Sequence, residues 1–352
     1  MNQNLEINHK ENLIKKIAFV LVLITILFSL VSCGKSNVDV ASTSEDMEAT
    51  DDHIEIDNII DENKEPQVAD DATVKNANIR VVCYGDSMTE GTGGNGMTMP
   101  ISLAEVSGAE VINYGGFGET TSCIAARQGG NPQYSNFDVT IPEDTEPVEV
   151  TFSGKYGYEM LLVFADAGIN PCVFAGVKGN YFIDEEGTRF FKRLEKGEEV
   201  FAKEGTPLIT YAMQDKSDED VLVLWTGNNE QPSNEEEVNM TIKQQHEIID
   251  YSGSDKYIVI SLTSYDMLPE IDLINQMFKE EYGERYLDLR EYMLNDALSD
   301  AGIEPTEADI EDIRKGNVPS SLRSDEVHGN QMFYKLAGEQ VYKKLKELGY
   351  LE

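Results

Sequence analysis

A serine stands at Gly85-Asp86-Ser87, directly after the apolar run Val81-Val82-Cys83-Tyr84 and ahead of Gly91, Gly93 and Gly94. An unbroken apolar run containing β-branched residues predicts a buried strand. A serine at the carboxyl end of a parallel strand stands where open α/β sheets bind their ligands. It also stands at the positive end of the helix that follows. There a hydroxyl becomes a nucleophile if a base reaches it. The same three residues also fit an N-cap serine in a strand-to-helix turn.

The base must come from elsewhere in the chain. Of four histidines, His53 lies in an acidic stretch, and His246 sits mid-helix among polar neighbours and is expected at the surface. His328 follows Asp325 by three residues, just before the last helix. An acid at that spacing on a turn can accept from the imidazole Nδ1–H and fix its tautomer, which leaves the other nitrogen for a serine proton. Taken alone, the pair also reads as an Asp N-cap beside a surface histidine. Two glycine-rich strand ends complete the candidates, at Gly115-Gly116-Phe117-Gly118 and Gly227-Asn228-Asn229. A backbone N–H in such a loop can face a developing oxyanion, and a tight turn needing positive φ uses the same glycines.

The elements that must position these residues read as α/β. Strands are predicted over 78–84, 110–114, 220–226, 257–262 and 286–289. Helices are predicted over 100–106, 235–251, 268–282, 291–299 and 331–348. Strands alternating with helices imply a parallel sheet with right-handed crossovers. Residues 132–218 break this rhythm. There, short alternating segments about ten residues apart, with frequent glycine, predict an all-β, sandwich-like insertion. Its aromatics Tyr156, Tyr158, Tyr181 and Phe182 are candidates for a sugar-stacking platform, or simply half-buried sheet residues.

The 352 residues carry a formal net charge of -37. That acidity argues against a nucleic-acid partner, which needs clustered Lys and Arg, and against docking the folded domain on anionic lipid. Four cysteines without a C-x-x-C pair imply neither a zinc ribbon nor a disulfide framework. Cys83 and Cys172 read as small core residues. Lys10, Lys15 and Lys16 precede an apolar run from Ile17 to Leu30 that is short for a membrane span and has the form of a secretory signal over residues 1–32. The junction Leu30-Val31-Ser32-Cys33-Gly34 looks like a bacterial lipobox, which implies lipidation at Cys33 and work outside the cytoplasm on a membrane tether. Residues 33–76 are Asp-, Glu-, Ser- and Asn-rich and read as a disordered acidic spacer, with the folded domain at 77–352.

Four segments together resemble the SGNH (GDSL-type) hydrolases. Gly85-Asp86-Ser87 with Thr89 and Gly91 matches the nucleophile block, and Asn113 to Gly118 with Glu119-Thr120-Thr121 the glycine block. Trp225 to Asn229 matches the asparagine block, and Asp325-Glu326-Val327-His328 the last block. They occur in the family's order. The resemblance implies a flavodoxin-like parallel sheet flanked by helices, with Ser87 as nucleophile, His328 as base and then acid, and Asp325 orienting it. It further implies an oxyanion hole from the Gly118 and Ser87 N–H groups and the Asn228 amide. No cofactor or metal is implied, and the chain is expected to be a monomer. Asn229 departs from the family's usual Asp, and the β insertion is not part of the minimal fold. The expected activity is hydrolysis of acyl esters, acetyl above all, on extracellular carbohydrate. The alternatives are a lipase or lysophospholipase, and a non-catalytic glycan-binding lipoprotein.

Overall fold

The computed structural model describes residues 76–157, 160, 162, 167–263 and 270–352. The leader, Cys33, the acidic spacer, Tyr158 and most of the strand expected near residue 160 lie outside the described residues.

In chain order, β1 (Arg80–Gly85), α1 (Ser87–Glu90), α2 (Met99–Ser107), β2 (Glu110–Gly115) and α3 (Thr121–Gln128) come first. The insertion follows with β3 (Gln133–Ser135), β4 (Val139–Ile141), β5 (Val148–Glu149), β6 (Phe152–Ser153), β7 (Cys172–Phe174), β8 (Val177–Ile183), β9 (Arg189–Arg193), β10 (Val200–Ala202) and β11 (Pro207–Ile209). The chain returns through α4 (Tyr211–Asp215), β12 (Val221–Trp225), α5 (Glu235–Ser252), β13 (Tyr257–Ile260), α6 (Ile271–Tyr282) and β14 (Tyr286–Leu287). It ends with α7 (Leu289–Asn295), α8 (Ala297–Asp300), α9 (Glu307–Lys315) and α10 (Gln331–Glu347).

The expected α/β architecture is present. Strands β14-β13-β12-β1-β2 form a five-stranded sheet in which every neighbouring pair is parallel. Successive side chains of a strand point to opposite faces, so β1 splits cleanly. Val81 and Cys83 pack with Met99 and Leu103 of α2 and with Leu336, Val341 and Leu345 of α10. Val82 and Tyr84 pack on the other face with Ile124 of α3, Ile242 of α5 and Phe278 of α6. Each such side chain stabilises the fold by roughly 1.5–3 kcal/mol on full burial. The register places Gly85 level with Gly115 of β2 and Trp225 of β12. Three strands therefore end together, and the segments beginning at residues 86, 116 and 226 leave from one edge.

All eight residues of α3 are buried, Arg127 among them. A guanidinium without water must find acceptors for its N–H groups. Nε donates to Glu119 Oε2 (2.7 Å), Nη1 to the Ala167 carbonyl (2.9 Å), and Nη2 to the carbonyls of Tyr114 (2.7 Å) and Gly85 (3.1 Å). One side chain thus joins the ends of β1 and β2, the glycine block and the insertion.

The insertion is β-rich, as expected. It is a seven-stranded sheet in the order β5-β9-β8-β7-β11-β3-β6, with β10 and β4 as a separate antiparallel ribbon. Val139, Ile141 and Ala202 from the ribbon share one core with Phe152, Phe174, Tyr181 and Phe191 from the sheet. Ala126 of α3 joins this second core, so the helix is shared between the scaffold and the insertion.

Replacing Arg127 by Met leaves Glu119 buried without its counter-charge and takes a donor from three carbonyls. Removing one partner of a buried pair costs about 3–5 kcal/mol. Urea denaturation of Arg127→Met should show that loss, and Arg127→Met/Glu119→Gln should recover part of it.

Candidate active site

Ser87 is the first residue of α1 and is 5% exposed. Asp86 caps that helix by accepting from the Met88 N–H (2.9 Å). The strand can turn this sharply because Gly85 has no side chain. A Cβ there would lie 2.4 Å from the Trp225 carbonyl and 2.0 Å from Thr89 Oγ1.

The His328 turn approaches from the other end of the sequence. It is closed by the antiparallel bridge Arg323–Gly329 and leads directly into α10. Asn330 caps α10 by accepting from Met332 and Phe333, and its Nδ2 donates to the Ser321 carbonyl (2.8 Å). The turn is therefore anchored on both sides. His328 Nε2 stands 2.9 Å from Ser87 Oγ, and His328 Nδ1 stands 2.8 Å from Asp325 Oδ2.

Partial burial opposes ionisation of Asp325, but the His328 ring and the N–H groups of His328 and Val327 outweigh it and hold the carboxyl at about 2. An ionised carboxylate only accepts, so Nδ1 carries the ring proton. Nε2 is then the acceptor, and the Ser87 hydroxyl donates to it. The structure thus brings Ser87, His328 and Asp325 into a hydroxyl–imidazole–carboxylate chain across 241 residues of sequence.

No family profile matches this chain, and no curated protein does. Among solved structures, the chain is similar to one described as a lipolytic protein of the G-D-S-L family from Desulfitobacterium hafniense DCB-2. Identity is 14% over 76% of this chain and 99% of that one, with a TM-score of 0.39. It is similar to a lipolytic protein of the same family from Veillonella parvula DSM 2008, at 14% identity over 77% and 97% with a TM-score of 0.35. A peptidoglycan O-acetylesterase is similar at 13% identity over 77% and 91%, with a TM-score of 0.32.

Gly118 and Asn228 stand on the loops that leave the same edge of the sheet as Ser87. Among the described residues, neither the Ser87 N–H nor the Gly118 N–H is bonded to a protein acceptor. Gly118 has φ +74°, a left-handed conformation that suits glycine. Asn228 is nine-tenths buried, and its Nδ2 donates to Asp86 Oδ2 at 2.8 Å. Its Oδ1 is buried and meets no donor among the described residues.

Other residues of these loops are positioned by roles that motif reading did not reveal. Asn229 Nδ2 donates to the Glu119 carbonyl (2.8 Å), which braces the glycine block from the asparagine block. Glu230 Oε1 accepts from the Thr121 N–H at the start of α3, and burial pushes its carboxyl up. Phe117 stacks on the His328 ring, with centroids 6.0 Å apart and planes 27° apart. Phe117 and Asn229 were marked by their place in the matched blocks, and Glu230 only by its adjacency to Asn229.

Two members of the expected aromatic platform are not on it. Tyr181 is 1% exposed, because strand alternation turns it inward against Phe152. Tyr156 is held on α5, where its hydroxyl donates to Glu247 Oε1 (2.5 Å) and its ring has the Lys155 and Lys243 ammonium groups 5.2 and 5.8 Å from its centroid. Phe182 is half-buried on the opposite face of β8 from Tyr181 and stacks on Phe190 of β9, centroids 5.8 Å apart. His246 is part-exposed as expected, with Nε2 2.6 Å from Glu281 Oε1.

Cys83, Cys123 and Cys172 are buried and form no disulfide among the described residues. Burial pushes the Cys83 thiol far up and, aided by the Glu119 charge, the Cys123 thiol up to about 11. Among the described residues, no group of three or more His, Cys, Asp or Glu is placed to hold a metal ion.

Asp86 has no solvent contact, and burial pushes its carboxyl up to about 7, against the lowering effect of its bonds to Asn228 and Met88. Between the ordinary value of 3.8 and about 7, the folded protein holds a proton that the unfolded chain has released. Stability from this group is therefore full below that window and falls as pH rises through it. Asp86→Asn carries no charge to bury. Its Tm should decline less than that of wild type between about pH 5 and 8, as read by circular dichroism.

Proposed function

We propose that this protein is an exported, lipid-tethered serine esterase that removes small acyl groups, acetyl above all, from uncharged extracellular glycan. The observation that carries this reading is the continuous chain from Ser87 Oγ to His328 Nε2 and from His328 Nδ1 to Asp325 Oδ2. In the proposed reaction, His328 takes the Ser87 proton as Oγ attacks the ester carbonyl. Asp325 holds the imidazolium that forms. The carbonyl oxygen becomes an oxyanion, which the N–H groups of Ser87 and Gly118 and the Asn228 amide receive. His328 then returns the proton to the departing sugar oxygen, leaving an acyl–Ser87. A water molecule, deprotonated by His328, attacks the acyl carbon, and His328 returns that proton to Ser87 Oγ as the acid leaves. Export and the tether rest on the basic, apolar and Cys33 sequence at the N-terminus.

Charge favours neutral glycan over an anionic lipid surface. Residues 86–98, 116–120 and 226–234, which leave the edge of the sheet, contain no Lys or Arg, while Glu90 and Glu230 stand among them. The His328 turn adds Asp325 and Glu326, and its one cation, Arg323, is 2.8 Å from Asp312. A cleft edged by one sign of charge concentrates ligands of the opposite sign, repels those of its own and leaves neutral ones unopposed. The stacked Phe182–Phe190 pair on the open face of the insertion suits the faces of sugar rings. A non-catalytic glycan-binding role leaves the aligned hydroxyl and imidazole without a purpose.

A fluorophosphonate probe should label wild type at Ser87 and leave Ser87→Ala unlabelled. Asp325→Asn should retain labelling but lose roughly 10²–10⁴ in kcat, and labelling of His328→Ala at the wild-type rate would sink the base assignment. On a panel of acetylated xylan, neutral acetyl esters and anionic long-chain lipid, acetate release from the neutral substrates is expected, insensitive to salt. Fast cleavage of the anionic lipid, slowed by salt, would overturn the choice of substrate. Phe182→Ala/Phe190→Ala should weaken retention on the polymer in affinity electrophoresis while leaving turnover of a soluble acetyl ester unchanged.

A further inference from the structure

The acid beside the nucleophile is better connected than capping a four-residue helix requires. Asp86 is fully buried and uses both carboxylate oxygens. Oδ1 takes the Met88 N–H at 2.9 Å, and Oδ2 takes Asn228 Nδ2 at 2.8 Å. The geometry points to Asp86 as the positioning residue of the Asn228 amide: it fixes which atom of that amide is turned to the nucleophile turn and so ties the proposed oxyanion donor to Ser87. This role rests on the esterase reading above.

The unmatched end of the amide supports it. Asn228 Oδ1 is buried without a donor among the described residues, a position that costs free energy. An amide turned over would move its Nδ2 to that side and its carbonyl against the carboxylate, where two acceptors repel. The contact with Asp86 therefore selects the orientation observed. Of the two hydrogens on Nδ2, one is spent on Asp86 and the second is left for an incoming oxygen. A hydrogen bond to an ionised acceptor is roughly twice as strong as a neutral one, enough to hold a side chain that has only two torsions to fix.

The sign of the electrostatics separates this role from a direct one. A negative charge beside a developing oxyanion opposes its formation. If Asp86 acted only through its own charge, neutralising it would speed the reaction. If it acts through Asn228, neutralising it slows the reaction by letting the amide turn.

A double-mutant cycle on 4-nitrophenyl acetate tests this at about pH 8.5, where Asp86 is ionised. Asp86→Asn and Asn228→Ala should each lower kcat by about 10²-fold, the effect of losing one oxyanion donor, with KM within about threefold of wild type. The double variant should be no slower than Asn228→Ala, because in that background Asp86 has nothing left to position. Asp86→Ser keeps an oxygen for the Met88 N–H but falls short of Asn228. It should retain the wild-type Tm within a few degrees and lose kcat as Asp86→Asn does. Losses that multiply in the double variant, or an Asp86→Asn enzyme as fast as wild type, overturn the positioning role while leaving the esterase reading intact, provided Ser87→Ala is inactive. An active Ser87→Ala overturns the esterase reading and this role with it.

Discussion

A guanidinium sealed from water governs how this site is assembled. Arg127 sits on a helix buried on every side, and its nitrogens reach the last carbonyl of β1, a carbonyl near the end of β2, the Glu119 carboxylate and the Ala167 carbonyl of the insertion. Desolvating such a charge is tolerable only when its donors are matched. The ends of the two strands are thereby held at one spacing. That spacing separates the turn bearing Ser87 from the loop bearing Gly118. Glu119, the residue after Gly118, is fixed twice, by Arg127 through its carboxylate and by Asn229 through its carbonyl.

From this constraint the chemistry follows in steps. Parallel strands in register end at one edge. Glycine at position 85 allows the chain to turn at once, which starts α1 at Ser87. Burial of Asp86 behind that turn places an acceptor where the asparagine block arrives. The histidine comes last, on a turn anchored by the Asn330 cap to the long helix α10. Packing of α10 against α2 and the central strands fixes where that turn lies. Stability and geometry are thus supplied by the same contacts. The exception is Asp86, whose ionisation is opposed by its surroundings.

Much of this was legible in the sequence, for physical reasons. Strands buried on both faces read as continuous apolar runs, so β1 and β12 stand out. The amphipathic helices α5, α6 and α10 show their periodicity within a residue or two of their ends, apart from the start of α6. The order of the four short blocks pointed to the hydroxyl, imidazole and carboxylate that the structure aligns. The helix α3 was illegible because burial on all sides erases the polar face that periodicity needs, and its one charged residue suggests the surface. Short α9 was hidden among acidic residues. Its Asp309 closes a capping box with Thr306 and also accepts from both the N–H and hydroxyl of Ser321. The aromatics of the insertion were half legible. Alternation predicts that neighbours face opposite ways, but not which of Tyr181 and Phe182 faces inward.

The carboxylate and imidazole come from one short turn. Asp325 also accepts from the backbone N–H groups of Val327 and His328, so the two side chains form a local unit that carries its own scaffolding. Any swing of that turn relative to the sheet transports both together. Within the three-membered array, such a swing stretches one link alone, the one to Ser87. The distance between hydroxyl and imidazole is therefore a single mechanical coordinate on which the array is made or broken, and the Asp325–His328 hydrogen bond behind it survives either way.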